Sequence, residues 1–121
     1  MSSKTKIGMF LFLFILLIFS YGSSKKHERY YQEKFCSKLH GRVEYTLQDR
    51  TRVDCLTEEY AIEVDFEHKW AEAVGQSLYY SLMTGKKPGI LIIKENGRHI
   101  PKIFKLCNEY GITLWIIEEE K

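Results

Sequence analysis

This chain of 121 residues lacks the short signatures that would announce a cofactor or a nucleophile. There is no Gly-x-x-x-x-Gly-Lys loop to cradle phosphates and no Gly-x-Ser-x-Gly elbow to present a serine. The four histidines, His27, His40, His68 and His99, are scattered, with neither a His-x-x-x-His pair nor a Cys/His cluster, so the usual zinc arrangements are excluded. There are no repeats and no low-complexity segment. Charge of one sign is also missing: the formal net charge is +2, and setting aside residues 1–22, with Lys4 and Lys6, leaves a neutral body. A nucleic-acid partner would therefore have to be met by a local patch, such as Lys86, Lys87, Lys94, Arg98, Lys102 and Lys105, rather than by a global field.

Cysteine is scarce, with Cys36, Cys55 and Cys107 only. In an oxidising compartment an odd count implies one disulfide and one free thiol, and Cys36 with Cys55 is the pair nearest in sequence. That compartment is suggested by the one long apolar run, "IGMFLFLFILLIF" from Ile7 to Phe19, preceded by Lys4 and Lys6. Residues 1–22 read as a signal peptide or N-terminal membrane anchor, with Ser20 and Gly22 as the small residues at the cleavage position. The expectation is a secreted or periplasmic protein, or one anchored through residues 7–21, with the membrane met only by that segment. Lys25, Lys26 and Arg29 beyond the run leave its orientation open. Residues 23–121 form one folded domain, long and apolar enough (45% hydrophobic) for a single core.

Periodicity divides that body. From about His27 to Leu39 the apolar residues Tyr31, Phe35 and Leu39 recur every fourth position, predicting a helix stopped by Gly41, with Glu28 and Gln32 along the same stripe. "RVEYTL", "TRVDCL" and "YAIEVDF" alternate as half-buried strands and predict a three-stranded antiparallel meander. "EHKWAEAVGQSLYYSLMTG" predicts a long helix with Trp70, Val74, Leu78 and Leu82 inward and Gly85 as its stop. "GILII" reads as a strand covered on both faces, and a helix through Ile103 and Cys107 leads to a last strand, "ITLWII". The strand-helix-strand unit should be parallel and right-handed. The fold class is thus α/β (α+β), with a mixed sheet and an α-β-β-β-α-β core followed by a further α-β unit.

Strand parity then gathers the acids. A three-residue turn at Gln48-Asp49-Arg50 pairs Val43 with Cys55, Tyr45 with Val53 and Glu44 with Asp54, while a two-residue turn at Thr57-Glu58 pairs Asp54 with Ala61 and makes Glu63 its diagonal neighbour. Glu44, Asp54, Glu63 and Asp65 would share one face. Like charges so close require a cation, a shared proton or full hydration, and Mg²⁺ or Mn²⁺ is the usual answer to a set of oxygen donors. On the following helix Lys69, Gln76 and Tyr80 fall in one narrow arc and can face those acids.

These residues together resemble the PD-(D/E)XK nuclease superfamily, whose core is α-β-β-β-α-β, and in particular small exported bacterial members with a RecB-type Gln-x-x-x-Tyr helix motif. The restriction-endonuclease-like pattern matches Asp54 to the family's Asp, Glu63 in "EVD" to its second acid, Gln76 and Tyr80 in "QSLYY" to the helix motif, and Glu28, the acid on the buried stripe, ahead of Glu33, to the first-helix glutamate. Where the family has lysine this chain has Asp65, and Lys69, one helical turn on, is the candidate to supply the ammonium. The resemblance implies a Mg- or Mn-dependent phosphodiesterase, a hydrolase acting on nucleic acid. Asp54, Glu63 and Asp65 would be its metal ligands, Lys69 and Gln76 would position water and phosphate, and Glu28, Glu44 and Tyr80 are secondary candidates. The alternative is a catalytically inactive nuclease-fold envelope protein that binds another protein or an envelope component.

Overall fold

The element order follows from where the apolar period changes. In the computed structural model, which describes residues 25–121, helix α1 spans Glu28–Lys38, and strands β1 (Arg42–Thr46), β2 (Arg52–Leu56) and β3 (Tyr60–Phe66) follow as a meander. A 3₁₀ turn, Glu67–Lys69, enters helix α2 (Trp70–Thr84), then come β4 (Lys87–Lys94), α3 (Ile100–Tyr110) and β5 (Thr113–Glu118). The expected signal peptide or anchor lies outside the described residues, and no helix among those described is long and apolar enough to cross a membrane. The sheet order is β1-β2-β3-β4-β5, antiparallel across the meander and parallel from β3 to β5. This is the mixed sheet expected.

Burial places β3 and β4 at the centre. Both faces of β3 are covered, which is why Ala61, Glu63 and Asp65 are as buried as Ile62 and Val64. One face carries Ile62, Val64, Leu91 and Ile93 against Tyr31 and Cys36 of α1. On the other, Ile90 and Ile92 pack with Ala73 of α2 and with Ile103 and Cys107 of α3. Fully burying an aliphatic side chain of this size contributes about 1.5–3 kcal/mol, so these two layers account for most of the fold's driving force.

Two helices are rotated from their expected faces. In α1 the buried residues are Tyr31, Gln32 and Cys36, with Phe35 and Leu39 only partly covered. In α2 they are Ala73, Ser77 and Tyr80, while Leu78 and Leu82 are exposed, Leu82 at 79%. The reason is approach distance: Ala73 and Ser77 let the helix backbone settle on the strands, and a stripe of leucines would hold it off. Gly85 ends α2 in the left-handed conformation (φ 72°), as its position predicts.

Hairpin registers decide where the acids meet. The first hairpin pairs Val43 with Cys55 and Tyr45 with Val53, as expected, and Arg50 takes the left-handed position of its three-residue turn (φ 72°). The second differs: Leu56 pairs with Ala61 and Cys55 with Ile62, because the two-residue turn lies one residue later, at Glu58-Glu59, where the Thr57 amide donates to the Tyr60 carbonyl at 2.9 Å and the Thr57 hydroxyl accepts the Glu59 and Tyr60 amides at 3.2 and 2.8 Å. A shift of two residues keeps parity, so every side chain keeps its face. Counting one step back along this register sets Asp54 level with Glu63 itself rather than with Ala61.

A buried acid closes the far side. The Glu67 carboxylate is 1% exposed and accepts the amides of Glu95 (2.9 Å), Gly97 (2.8 Å) and His99 (2.8 Å), tying the loop after β4 to the end of β3. Burial alone would raise its pKa, but these three amides outweigh it and hold the carboxyl below its ordinary value. Glu67→Ala leaves three amides without that acceptor and is expected to cost about 3 kcal/mol, read as a lower urea midpoint. An unchanged midpoint would show that solvent replaces the carboxylate without loss.

Candidate metal and phosphodiester site

Asp54 is set by a break in the ladder. Glu44, opposite it, has a left-handed backbone (φ 56°), and no pairing is made between the Val43/Cys55 and Tyr45/Val53 rungs. Residues two apart, which a flat strand would point alike, part company here. Val43 and Cys55 join the core under α1, whereas Tyr45 and Val53 join Ala61 and Tyr80 under α2. The alternation that put Val53 and Cys55 on one face therefore fails at this point, because the hairpin rolls over at Glu44 and Asp54. Freed from the ladder, the Asp54 carboxylate accepts the Val64 amide through Oδ2 at 2.8 Å.

Asp54, Glu63 and Asp65 consequently meet, and Glu28 at the start of α1 joins them. Burial, chiefly, pushes Asp54 up to about 6; the Val64 amide works against this, and the charges of Glu28 and Glu44 add to it. Glu63, 3% exposed, is raised to about 10, again by burial first and then by the charge and hydrogen bonding of Asp54. Asp65, 6% exposed, rises to about 8 through burial and the charge and hydrogen bonding of Glu28, with Lys69 drawing it down. Among the described residues no donor reaches Glu63 Oε1, a buried carboxyl oxygen. Acids this close and this buried do not ionise together, so the cluster holds protons at neutral pH.

The other expected residues stand at different distances from this cluster. Tyr80 is buried on Val53 and Ala61, and burial and the Glu63 charge raise its phenol. Lys69 is exposed, precedes α2 as its N-cap, and makes no ion pair among the described residues. Gln76 is half-buried on the same helix. Glu44 is turned to the flank, between Arg29 and Arg52 at 3.6 Å each. No set of three or more Cys, His, Asp or Glu side chains among the described residues closes round a common point as a metal cage would. The basic patch is largely engaged internally: Lys86 donates to the Glu58 carbonyl, Lys87 pairs with Glu59, Lys94 with Glu118, and Lys102 lies over Trp70. A cleft of about 510 Å³ lies away from the acids, beside Leu39, Thr57, Tyr60 and Trp115 at the start of β3.

Two residues of consequence carried no motif. Gln32 is 2% exposed and donates to the Asp54 carbonyl, and Glu67 holds the β4–α3 loop. A polar residue at a buried helical position is the signal for the first; nothing local marks the second.

The chain is 30% identical over 101 residues to a putative KilA-N domain-containing protein of Acanthamoeba polyphaga mimivirus, a match that covers 82% of this chain. It spans only 39% of that protein's length. No family model matches the chain, and no solved structure matches it.

Proposed function

We propose that the protein is a metal-dependent phosphodiesterase of the PD-(D/E)XK nuclease type, acting on nucleic acid from an exported or membrane-tethered position. The observation that carries this reading is the meeting of Asp54, Glu63 and Asp65 with Glu28 where β2 leaves the ladder, around a buried Glu63 oxygen that no donor among the described residues satisfies. The donor set is all oxygen, which suits Mg²⁺ or Mn²⁺ and disfavours softer metals. Asp54 and Glu63 would hold the ion, with Asp65 as the third acid, after giving up the protons they share. A bound divalent cation supplies polarisation of the scissile phosphate and a more acidic water.

The chain's own groups have separate tasks. Lys69, exposed just ahead of α2, would orient the attacking water and offset charge gathering on the phosphate oxygens. Gln76 would hold a phosphate oxygen from α2, and Tyr80 fixes that helix against the strands. An oxidising compartment is supported by the Cys36–Cys55 disulfide. Purified protein with millimolar Mn²⁺ is expected to cut DNA or RNA, and Asp54→Ala or Glu63→Ala to lower the rate at least about a hundredfold. Cleavage that survives both substitutions, or is absent from the wild type, overturns the reading.

A second reading has its own support: Asp65 in the lysine position and, among the described residues, an exposed Lys69 without an ion pair and no closed cage of ligands. A non-catalytic nuclease-fold protein serving as a binding or structural module would show no thermal shift with millimolar Mn²⁺, whereas a metal-binding site raises the midpoint by mass action.

A further inference from the structure

We infer that Gln32 is a positioning residue for Asp54: its buried amide holds the β1–β2 hairpin out of register with a flat ladder, so that the Asp54 carboxylate turns into the acid cluster. This deepens the reading of that cluster given above and rests on it. In an unbroken sheet the Asp54 carbonyl would be taken by a neighbouring strand. Here Glu44 is left-handed (φ 56°) and leaves that rung unpaired. Gln32 Nε2 donates instead to the Asp54 carbonyl at 2.9 Å and to Glu44 Oε1 at 3.0 Å, using both hydrogens of one amide. On its other side Asp54 meets β3 through its side chain, Oδ2 accepting the Val64 amide at 2.8 Å, so β2 pairs by main chain with β3 only at Cys55 and Leu56.

Removing either contact would undo the arrangement. Without the Gln32 donor the Asp54 carbonyl, shielded by a residue that is 2% exposed, is left to recover a ladder bond. That flattens the hairpin and swings the carboxylate away from Val64 and Glu63. A glutamine buried between helix and strand is otherwise a costly choice, since an apolar residue of the same length would fill the space beside Cys36. Glu44, placed by the same nitrogen, is thereby assigned a supporting part: it is the second acceptor of the clamp and not a member of the ligand set.

The test is Gln32→Met, equal in length and without a donor, in the full chain. Exchange of the Val64 amide is expected to quicken at least tenfold while the amides of β4 keep their protection. Mn²⁺ affinity should fall at least tenfold by calorimetry, with little further loss when Asp54→Ala is added. Unchanged Val64 exchange in folded Gln32→Met overturns the inference, and so do losses that simply add. If the wild type binds no Mn²⁺, the reading of the acid cluster fails, and Val64 exchange alone decides the role of Gln32. Should Gln32→Met not fold, Gln32→Asn, too short to reach both acceptors, carries the same expectations. If neither folds, Gln32 supports the whole domain rather than the site, and the inference is overturned.

Discussion

Between about pH 5.5 and pH 9 the metal-free protein loses stability, and its thermal midpoint falls by roughly 10 °C. Three carboxyls have folded-state pKa values above their ordinary range, Asp54 to about 6, Asp65 to about 8 and Glu63 to about 10, with burial the first cause in each. A group raised on folding binds its proton more tightly in the native state. Its contribution is complete below the unfolded value of about 4 and is lost as pH climbs through the folded one. The slope is therefore downward with rising pH, opposite to that of a salt-bridged acid. Glu67, held low by three amides, acts the other way: its contribution is present above its unfolded value and fades as pH falls through its folded one. Maximum stability should lie at about pH 4, with Glu63→Gln flattening the alkaline limb. Millimolar Mn²⁺ at about pH 8.5 should restore much of the loss, on the order of 2.7 kcal/mol at a hundredfold excess over its dissociation constant. Calorimetric scans across this range, with chelator and with metal, decide the matter. A flat or rising metal-free profile would mean that the cluster is hydrated and ionised, contrary to its burial.

Much of this arrangement is legible in the sequence, for identifiable reasons. Strand parity survives small errors of register: the second turn lies one residue later than its sequence suggests, yet Glu63 and Asp65 still face α2 because the resulting shift is two residues. Turn chemistry is equally local: Gly85 ends α2 as its residue type requires, and Asp49 closes the Gln48-Asp49-Arg50 turn by accepting the Thr51 amide. What the sequence conceals is tertiary. The left-handed backbone at Glu44 rolls the hairpin and sends Val53 and Cys55 into different cores, and no period in "TRVDCL" announces it. The leucine stripe of α2 misleads because helix packing is governed by which side can come close, and Ala73 and Ser77 offer that side.

The acid cluster divides along the same line. That Glu63 and Asp65 share a face follows from alternation, whereas Asp54 reaches them through the break in the ladder at Glu44. Glu44 separates from them because Gln32, Arg29 and Arg52 compete for its carboxylate, and that competition depends on α1 crossing the hairpin. Lys69 is placed by the 3₁₀ turn that delays the start of α2, so it sits ahead of the helix on which Gln76 and Tyr80 ride. Its reach toward Asp65 then depends on side-chain length rather than on helical phase.

Replacing Cys36 and Cys55 together by alanine is expected to cost about 3 kcal/mol, the chain-entropy value for a closed loop of roughly 20 residues, and to lower the thermal midpoint by about 12 to 24 °C. The two cysteines are bonded, fully buried, and separated by 19 residues, joining α1 to β2. Gly41 lies so close that a Cβ there would stand 2.7 Å from each sulfur, so the crosslink and the turn after α1 fit only as a pair, and Gly41→Ala should carry part of the same loss. The bond also sits beside the site. Gln32 is one turn before Cys36 and Asp54 is the residue before Cys55, so the crosslink fixes the helix that carries the clamp to the strand that it holds. Loss of the bond should therefore weaken Mn²⁺ binding beyond what lowered stability explains at temperatures where the variant remains folded, while Cys107, a free thiol on the buried side of α3, should tolerate alanine with no such effect. Thiol titration of the denatured protein gives the direct check: one reactive thiol before reduction and three after. Three before reduction, in protein taken from its native compartment, would remove the crosslink from the functional account and leave Gln32 to hold the hairpin alone.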